Sequence, residues 1–128
     1  GVRTVVLLAG INDIGAAEGA LEPEALIDGY RELVDRAHAE GVRVVGATLT
    51  PFTGFGYATE AGEADRQTVN AWIRETDELD GFVDTDRAVR DPLDPTRLRP
   101  AYDSGDSLHP SDDGFSVIAR TVARQLDC

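Results

Sequence analysis

The sequence of 128 residues contains no lysine and no methionine, and its single cysteine is the last residue, Cys128. Because no methionine opens the chain, we expect a fragment, a processed product or a trimmed form of a longer protein. A lone cysteine is either a free thiol or half of a disulfide whose partner lies outside this chain. No apolar stretch approaches the roughly 20 residues that are needed to span a bilayer.

Positive charge is also scarce, since 12 arginines face 24 acidic residues and the formal net charge is −12. This charge repels phosphate backbones, so we expect no nucleic acid partner. The composition, with 41% hydrophobic and 28% charged residues, is typical of a folded protein. The length fits one domain that extends over residues 1–128.

Short apolar runs alternate with amphipathic helical patterns along the chain. We predict strands within 2–9, 42–49 and 81–84, helices beginning near Pro23, Thr59 and Ser111, and a long loop over 91–105. This alternation predicts an α/β fold in which helices cover both faces of a parallel sheet. Three strands are few for such a sheet, and we expect further strands to precede the first one.

Polar residues stand where the first strand ends and where the last helix begins. Asn12 and Asp13 follow the first strand directly, and His109 precedes the last helix. In open parallel sheets, binding sites form beyond the carboxyl ends of the strands. We therefore expect these residues to face one crevice.

Their chemistry suits acyl transfer. Asp106 lies three residues before His109, so its carboxylate can accept the Nδ1–H of the imidazole and leave Nε2 free as a base. The amide of Asn12 is a neutral donor that could bind a developing oxyanion, a contact worth roughly 3–4 kcal/mol. Each motif alone is more often a turn or a surface pair, and their joint placement is what indicates a site.

Two motifs resemble those of one hydrolase family. Gly10-Ile11-Asn12-Asp13 matches the Gly-x-Asn-Asp block of the SGNH (GDSL-type) hydrolases, and Asp106-Ser107-Leu108-His109-Pro110 matches their Asp-x-x-His block. The resemblance implies a flavodoxin-like three-layer sandwich from which one or more N-terminal strands are missing. The stretch around Gly10 also resembles secreted bacterial members, so we expect an exported protein.

The resemblance also implies roles. His109 would be the general base and Asp106 its orienting partner. Asn12 would be the oxyanion donor, and Gly10 would let the backbone turn closely at the strand end. The implied reaction is ester hydrolysis by a Ser-His-Asp triad without a metal or cofactor. We expect a small ester substrate with a short acyl group, or an acetylated sugar.

The nucleophilic serine of that family has no match in this chain. The tetrapeptide Gly105-Asp106-Ser107-Leu108 spells the family's namesake motif, but it overlaps the base motif near the C-terminus. Ser107 is also only two residues from His109 on a local turn, so their side chains should not meet. We therefore expect the serine on an N-terminal segment of the same protein, and we expect this chain alone to be inactive.

Two other functions stay open at this point. The chain could be a non-catalytic remnant or binding module, or a metal-dependent phosphoesterase that uses Asp13, Asp84, Asp86, Asp106 and His109. Asp84 and Asp86 would otherwise have a surface or loop-bracing role. Three aromatic residues after the second strand either line an acyl or sugar pocket or cover the end of the sheet: Phe52, Phe55 and Tyr57.

Overall fold

The structure is a computed structural model that describes residues 1–126, so Cys128 and its predicted thiol or disulfide state lie outside the described residues. The elements follow in this order: β1 (Thr4–Leu7), α1 (Ile11–Ala16), α2 (Pro23–Ala39), β2 (Arg43–Ala47), α3 (Glu60–Glu75), β3 (Phe82–Val83), α4 (Thr85–Val89), a 3-10 turn (Pro100–Tyr102) and α5 (Asp112–Gln125). Strands and long helices alternate up to β3, as predicted.

The three strands form one parallel sheet in the order β1-β2-β3. Thr4 pairs with Arg43 at the start of the β1–β2 ladder, and Ala47 pairs with Val83 at the end of the β2–β3 ladder. All carboxyl ends therefore lie on one edge of the sheet, which is where the polar residues were expected to meet.

Helices cover both faces of this sheet, because the central strand β2 is apolar on both sides. Val44 packs into a core with residues of α2 and α3, including Ile27 and Ile73. Val45, on the opposite face, packs into a second core that includes Val122 of α5. The α/β three-layer arrangement predicted from the sequence is confirmed.

Side-chain caps fix the helix starts that the sequence indicated. The Thr59 hydroxyl accepts the N–H of Gly62 at the start of α3, and the Ser111 hydroxyl accepts that of Gly114 at the start of α5. Two short helices were not predicted. The residues of α1 were expected to be a loop, and α4 begins where only a strand end was expected.

The outer edge of β1 is not paired with another strand within residues 1–126. Val5 and Leu8 are 40% and 46% exposed there. The strand is therefore not buried on both faces, although its apolar sequence suggested that it would be. On either side of this edge, Leu33 of α2 and Phe115 of α5 are exposed as well.

A buried ion pair joins α3 to α4 behind the sheet edge. Arg66 and Asp86 are both fully buried, and Nη1 of Arg66 lies 2.7 Å from Oδ1 of Asp86. Burial alone lowers the pKa of Arg66, but hydrogen bonds and charge from Glu63 and Asp86 more than offset it and raise that pKa. The guanidinium therefore stays charged inside the protein.

Further arginines complete this cluster. Arg74 and Arg90 both donate to Oδ2 of Asp86, at 2.8 and 3.1 Å. Arg74 also holds Asp84 with two hydrogen bonds of 2.9 Å. Burial raises the pKa of Asp84, yet these bonds and the N–H of Arg87 keep it below its ordinary value. Asp84 and Asp86 thus brace this region, and arginines take up the oxygens that a metal would need.

Asp86→Asn should lower the free energy of unfolding by about 3–5 kcal/mol, because three guanidinium groups would lose a buried counter-charge. Urea denaturation of the full-length protein that contains this chain measures this change. Asp35→Asn is the matched control, since Asp35 is exposed on α2 and pairs with no cation among residues 1–126. The control should change stability by no more than about 0.5 kcal/mol. Equal losses in the two variants would contradict a special role for the cluster.

The unpaired edge of β1 predicts self-association of residues 1–128 in isolation, because exposed strand edges with apolar side chains template further pairing. Sedimentation velocity should show dimers or larger species, and Val5→Lys should shift the distribution toward monomer. A wild-type chain that stays monomeric at high concentration would contradict this prediction.

Candidate active site

The turn from β1 into α1 places Asn12 at the carboxyl edge of the sheet. Gly10 precedes α1 with a φ of 124°, a left-handed conformation that side-chain-bearing residues rarely adopt. A Cβ on Gly10 would also lie 3.0 Å from Leu26 and 3.2 Å from the Tyr30 hydroxyl. The close turn predicted at Gly10 is present, and it leaves Asn12 exposed in the first turn of α1.

The loop before α5 holds Asp106 against His109. Oδ2 of Asp106 lies 2.5 Å from Nδ1 of His109. Its other oxygen, Oδ1, accepts the backbone N–H groups of Leu108 and His109 at 2.9 and 2.8 Å. The carboxylate is thus fixed from two sides, and the imidazole that it orients directs Nε2 away from it.

These hydrogen bonds also set the charge of Asp106. The bond with His109 has the largest effect, followed by the bonds from the two backbone N–H groups. Together they hold the pKa of Asp106 far below its ordinary value. The carboxylate therefore stays ionised at any pH at which an imidazole could act as a base.

Asn12 and His109 line the same cavity, which has a volume of about 220 Å³. The other walls are largely apolar and include Leu8, Leu108 and Phe115. Two stretches that are nearly one hundred residues apart in the chain are thus brought to one cavity. An amide and an imidazole beside a small apolar space are two of the groups that serine-dependent acyl transfer uses.

None of the four serines of the chain lines this cavity. Ser107 has a left-handed backbone with a φ of 68° and instead lines a separate cavity with Thr53 and Arg97. Ser104 donates to Oδ1 of Asp106 at 3.2 Å. Thr50 does line the cavity of Asn12 and His109.

The aromatic loop, residues 52–57 after β2, touches both halves of the site. The O–H of Tyr57 donates to Oδ1 of Asn12 at 3.0 Å. The Phe55 ring meets the His109 ring edge-on, with 6.3 Å between ring centroids. Phe52 is fully buried in the core that also contains Ile14 and Leu49. Nothing in the sequence indicates the Tyr57–Asn12 bond, because 45 positions separate the two residues.

The five residues of the metal-dependent alternative do not form one group. Among the residues that the structure describes, no cluster of three or more His, Cys, Asp or Glu side chains could hold a metal ion. Asp84 and Asp86 are engaged by arginines, Asp106 is engaged by His109, and Asp13 is exposed on α1. The arrangement therefore favours acyl-transfer chemistry over metal-assisted hydrolysis.

A profile of the GDSL-like Lipase/Acylhydrolase family matches residues 2–117. No curated protein matches the sequence. No helix within residues 1–126 combines the length and the apolar character that crossing a membrane requires.

Several solved structures share the fold. A protein assigned as an acylhydrolase from Bacteroides fragilis is 25% identical with a TM-score of 0.80. The match covers 98% of this chain and 61% of that protein. A GDSL-like lipase from Bacteroides thetaiotaomicron is 21% identical with a TM-score of 0.82, with coverages of 98% and 62%. An acetylxylan esterase from Geobacillus stearothermophilus is 23% identical with a TM-score of 0.70, with coverages of 96% and 58%. The chain thus spans about 60% of the length of these structures.

The contact with Asp106 predicts that neutral His109 carries its proton on Nδ1. The ring ¹⁵N chemical shifts at alkaline pH should report this tautomer, and Asp106→Ala should populate the form protonated on Nε2. His38 is an internal control, because its Nε2, rather than Nδ1, lies 2.8 Å from Oδ2 of Asp80. Its signals should indicate the opposite tautomer in both proteins. An Nε2–H tautomer for His109 in the unsubstituted chain would contradict the geometry.

Proposed function

Since the chain belongs to the GDSL-like lipase/acylhydrolase family, a family of esterase-type hydrolases, we propose that it carries most of the active site of a serine-dependent carboxylic ester hydrolase. The observation that carries the proposal is that Asn12 and His109 line one cavity. Asp106 is bonded to Nδ1 of the His109 imidazole, which leaves Nε2 for the reaction. In this proposal Asn12, Asp106 and His109 have the roles that the sequence resemblance implied.

The proposed reaction proceeds through an acyl-enzyme. Nε2 of His109 takes the proton from a serine hydroxyl while the serine oxygen bonds to the ester carbonyl carbon. The carbonyl oxygen then becomes an oxyanion. Nδ2 of Asn12 donates to that oxyanion. When the intermediate collapses, the carbon–oxygen bond to the alcohol breaks and the alcohol takes the proton from His109. Water then attacks the acyl-enzyme in the same way, with His109 taking its proton, and the acid is released as the serine regains a proton from His109.

We propose that the nucleophilic serine lies on a segment of the same protein outside residues 1–128. Three observations support this. No serine of the chain lines the cavity, the chain covers only about 60% of related structures, and the outer edge of β1, which exposes apolar side chains, pairs with no strand among residues 1–126. The acetylxylan esterase was crystallised as a catalytic mutant in which a serine is replaced by alanine. A segment that pairs with β1 could bring such a serine to the cavity beside Leu8.

We propose substrates with a short acyl group, such as acetylated sugars. The cavity of Asn12 and His109 is lined mostly by apolar side chains. Its apolar walls suit the methyl end of a small acyl group. The acetylxylan esterase among the related structures is a protein with this kind of activity, which supports the choice.

His109→Ala in the full-length protein that contains this chain should lower kcat/KM for p-nitrophenyl acetate by about 10³-fold or more. Asn12→Ala should lower kcat by about 10²–10³-fold. His38→Ala is the matched control, because this second histidine pairs with Asp80 and lies outside the cavity. It should leave activity unchanged within about twofold. An active His109→Ala protein would contradict the proposed base.

A fluorophosphonate probe on the same protein tests the nucleophile. The probe should label one serine outside residues 1–128, and peptide mass mapping identifies it. A label on Thr50 or Ser107 would contradict the proposed origin of the nucleophile. A protein without any label and without esterase activity would instead support the binding-module alternative, which the absence of a serine among the lining residues keeps open.

A further inference from the structure

Tyr57 joins two parts of the site that the mechanism above treats separately. Its phenol donates to Asn12 at 3.0 Å, and its ring meets the Phe55 ring at 4.6 Å in a T-shaped contact. Phe55 in turn lies against His109. One loop therefore contacts both the proposed oxyanion donor and the proposed base.

The position of the Tyr57 ring is tightly constrained. The ring lies directly on the backbone of Gly15 in α1, where a Cβ would be only 2.3–2.7 Å from three ring atoms. The ring of Phe52, which is fully buried, also lies near the Tyr57 ring, with 6.0 Å between ring centroids. Burial, followed by the charge of Asp106, raises the pKa of Tyr57, so the phenol remains a hydrogen-bond donor at neutral pH.

Asn12 has a particular need for such a partner. A primary amide has nearly the same shape at both ends, but only the NH₂ end can stabilise an oxyanion, and the oxygen end would repel it. Among residues 1–126, the only side-chain hydrogen bond of Asn12 is the one from Tyr57. When Oδ1 accepts the phenol proton, Nδ2 is free to point into the cavity.

We propose that Tyr57 is a positioning residue that holds the Asn12 amide through Oδ1 and thereby directs Nδ2 toward the oxyanion. The inference rests on the proposed function of Asn12. It adds to Asn12, Asp106 and His109 a further side chain of this chain, one that acts through Asn12.

The test compares Tyr57→Phe with the unsubstituted full-length protein on p-nitrophenyl acetate. The substitution keeps the ring on Gly15 and removes only the donor. We expect kcat to fall by about 10-fold, the effect of one ordinary hydrogen bond, while KM changes by less than about twofold. Tyr102→Phe is the matched control, since the Tyr102 hydroxyl makes no hydrogen bond to any of residues 1–126. It should leave both constants unchanged.

A double-substitution cycle separates positioning from a general structural role. If Tyr57 acts through Asn12, adding Tyr57→Phe to Asn12→Ala should cause no further loss of kcat. A further loss of about 10-fold in that background would overturn the inference. A fully active Tyr57→Phe beside an impaired Asn12→Ala would also overturn it and leave the proposed function intact. An active Asn12→Ala would remove the proposed oxyanion donor, and the inference would fall with it.

Discussion

The buried guanidinium of Arg66 fixes the point at which the chain leaves the central strand. Besides Asp86, it donates to the carbonyl oxygen of Leu49 at 2.8 Å, just beyond β2. The amide of Asn70 brackets the same residue, accepting the Leu49 N–H at 2.6 Å and donating to its carbonyl at 2.9 Å. Side chains of α3 thus replace the hydrogen bonds that a neighbouring strand would supply. An unsatisfied backbone group at this depth would be costly, so this position has little freedom.

The adjacent residue Thr48 is also held by hydrogen bonds, in this case to residues at the start of α4. Its carbonyl accepts the hydroxyl proton of Thr85, and its own hydroxyl bonds to Asp84 at 3.0 Å and accepts the N–H of Asp86 at 2.9 Å. The salt bridges of this region join three arginines to three carboxylates, so the buried charges balance. A balanced and fully hydrogen-bonded cluster can tolerate burial that an unpaired charge could not.

The position of Thr48 and Leu49, fixed by these hydrogen bonds, determines where the aromatic loop begins. Leu49 and Thr50 line the cavity, and only a few residues separate them from Phe55 and Tyr57. The hydrogen bonds of Arg66 and Asn70 to Leu49 therefore hold the start of the segment that carries these aromatic rings. The amide and the imidazole both lie against those rings, so the geometry of the site depends on contacts that involve neither group directly.

Local signals in the sequence predicted much of this structure. Thr59 and Ser111 cap their helices through contacts within four residues, and the Asp106–His109 pair lies within one turn, so short-range chemistry was sufficient for both. The short helix α1 was missed because Gly10 and the two polar residues after Ile11 have the composition of a turn.

Long-range contacts could not be predicted in the same way. Asp86 was expected to lie at the surface, brace a loop or hold a metal, and its complete burial among arginines contradicts the surface position. The ion pair with Arg66 spans 20 positions, and the bond from Tyr57 to Asn12 spans 45. No periodicity or motif encodes these distances. Tertiary packing determines them, and it also decides which polar residues become buried.

The contact between the Tyr57 ring and Gly15 links the evolutionary histories of two positions that are 42 residues apart. A methyl group on the helix would collide with the ring, whereas loss of the ring would leave a gap beside a bare backbone. Neither position can drift freely while the other is unchanged. In homologues, an alanine or serine at the helical position should therefore coincide with a smaller side chain in the loop, and recombination between distant members should separate the two only at a cost in folding yield.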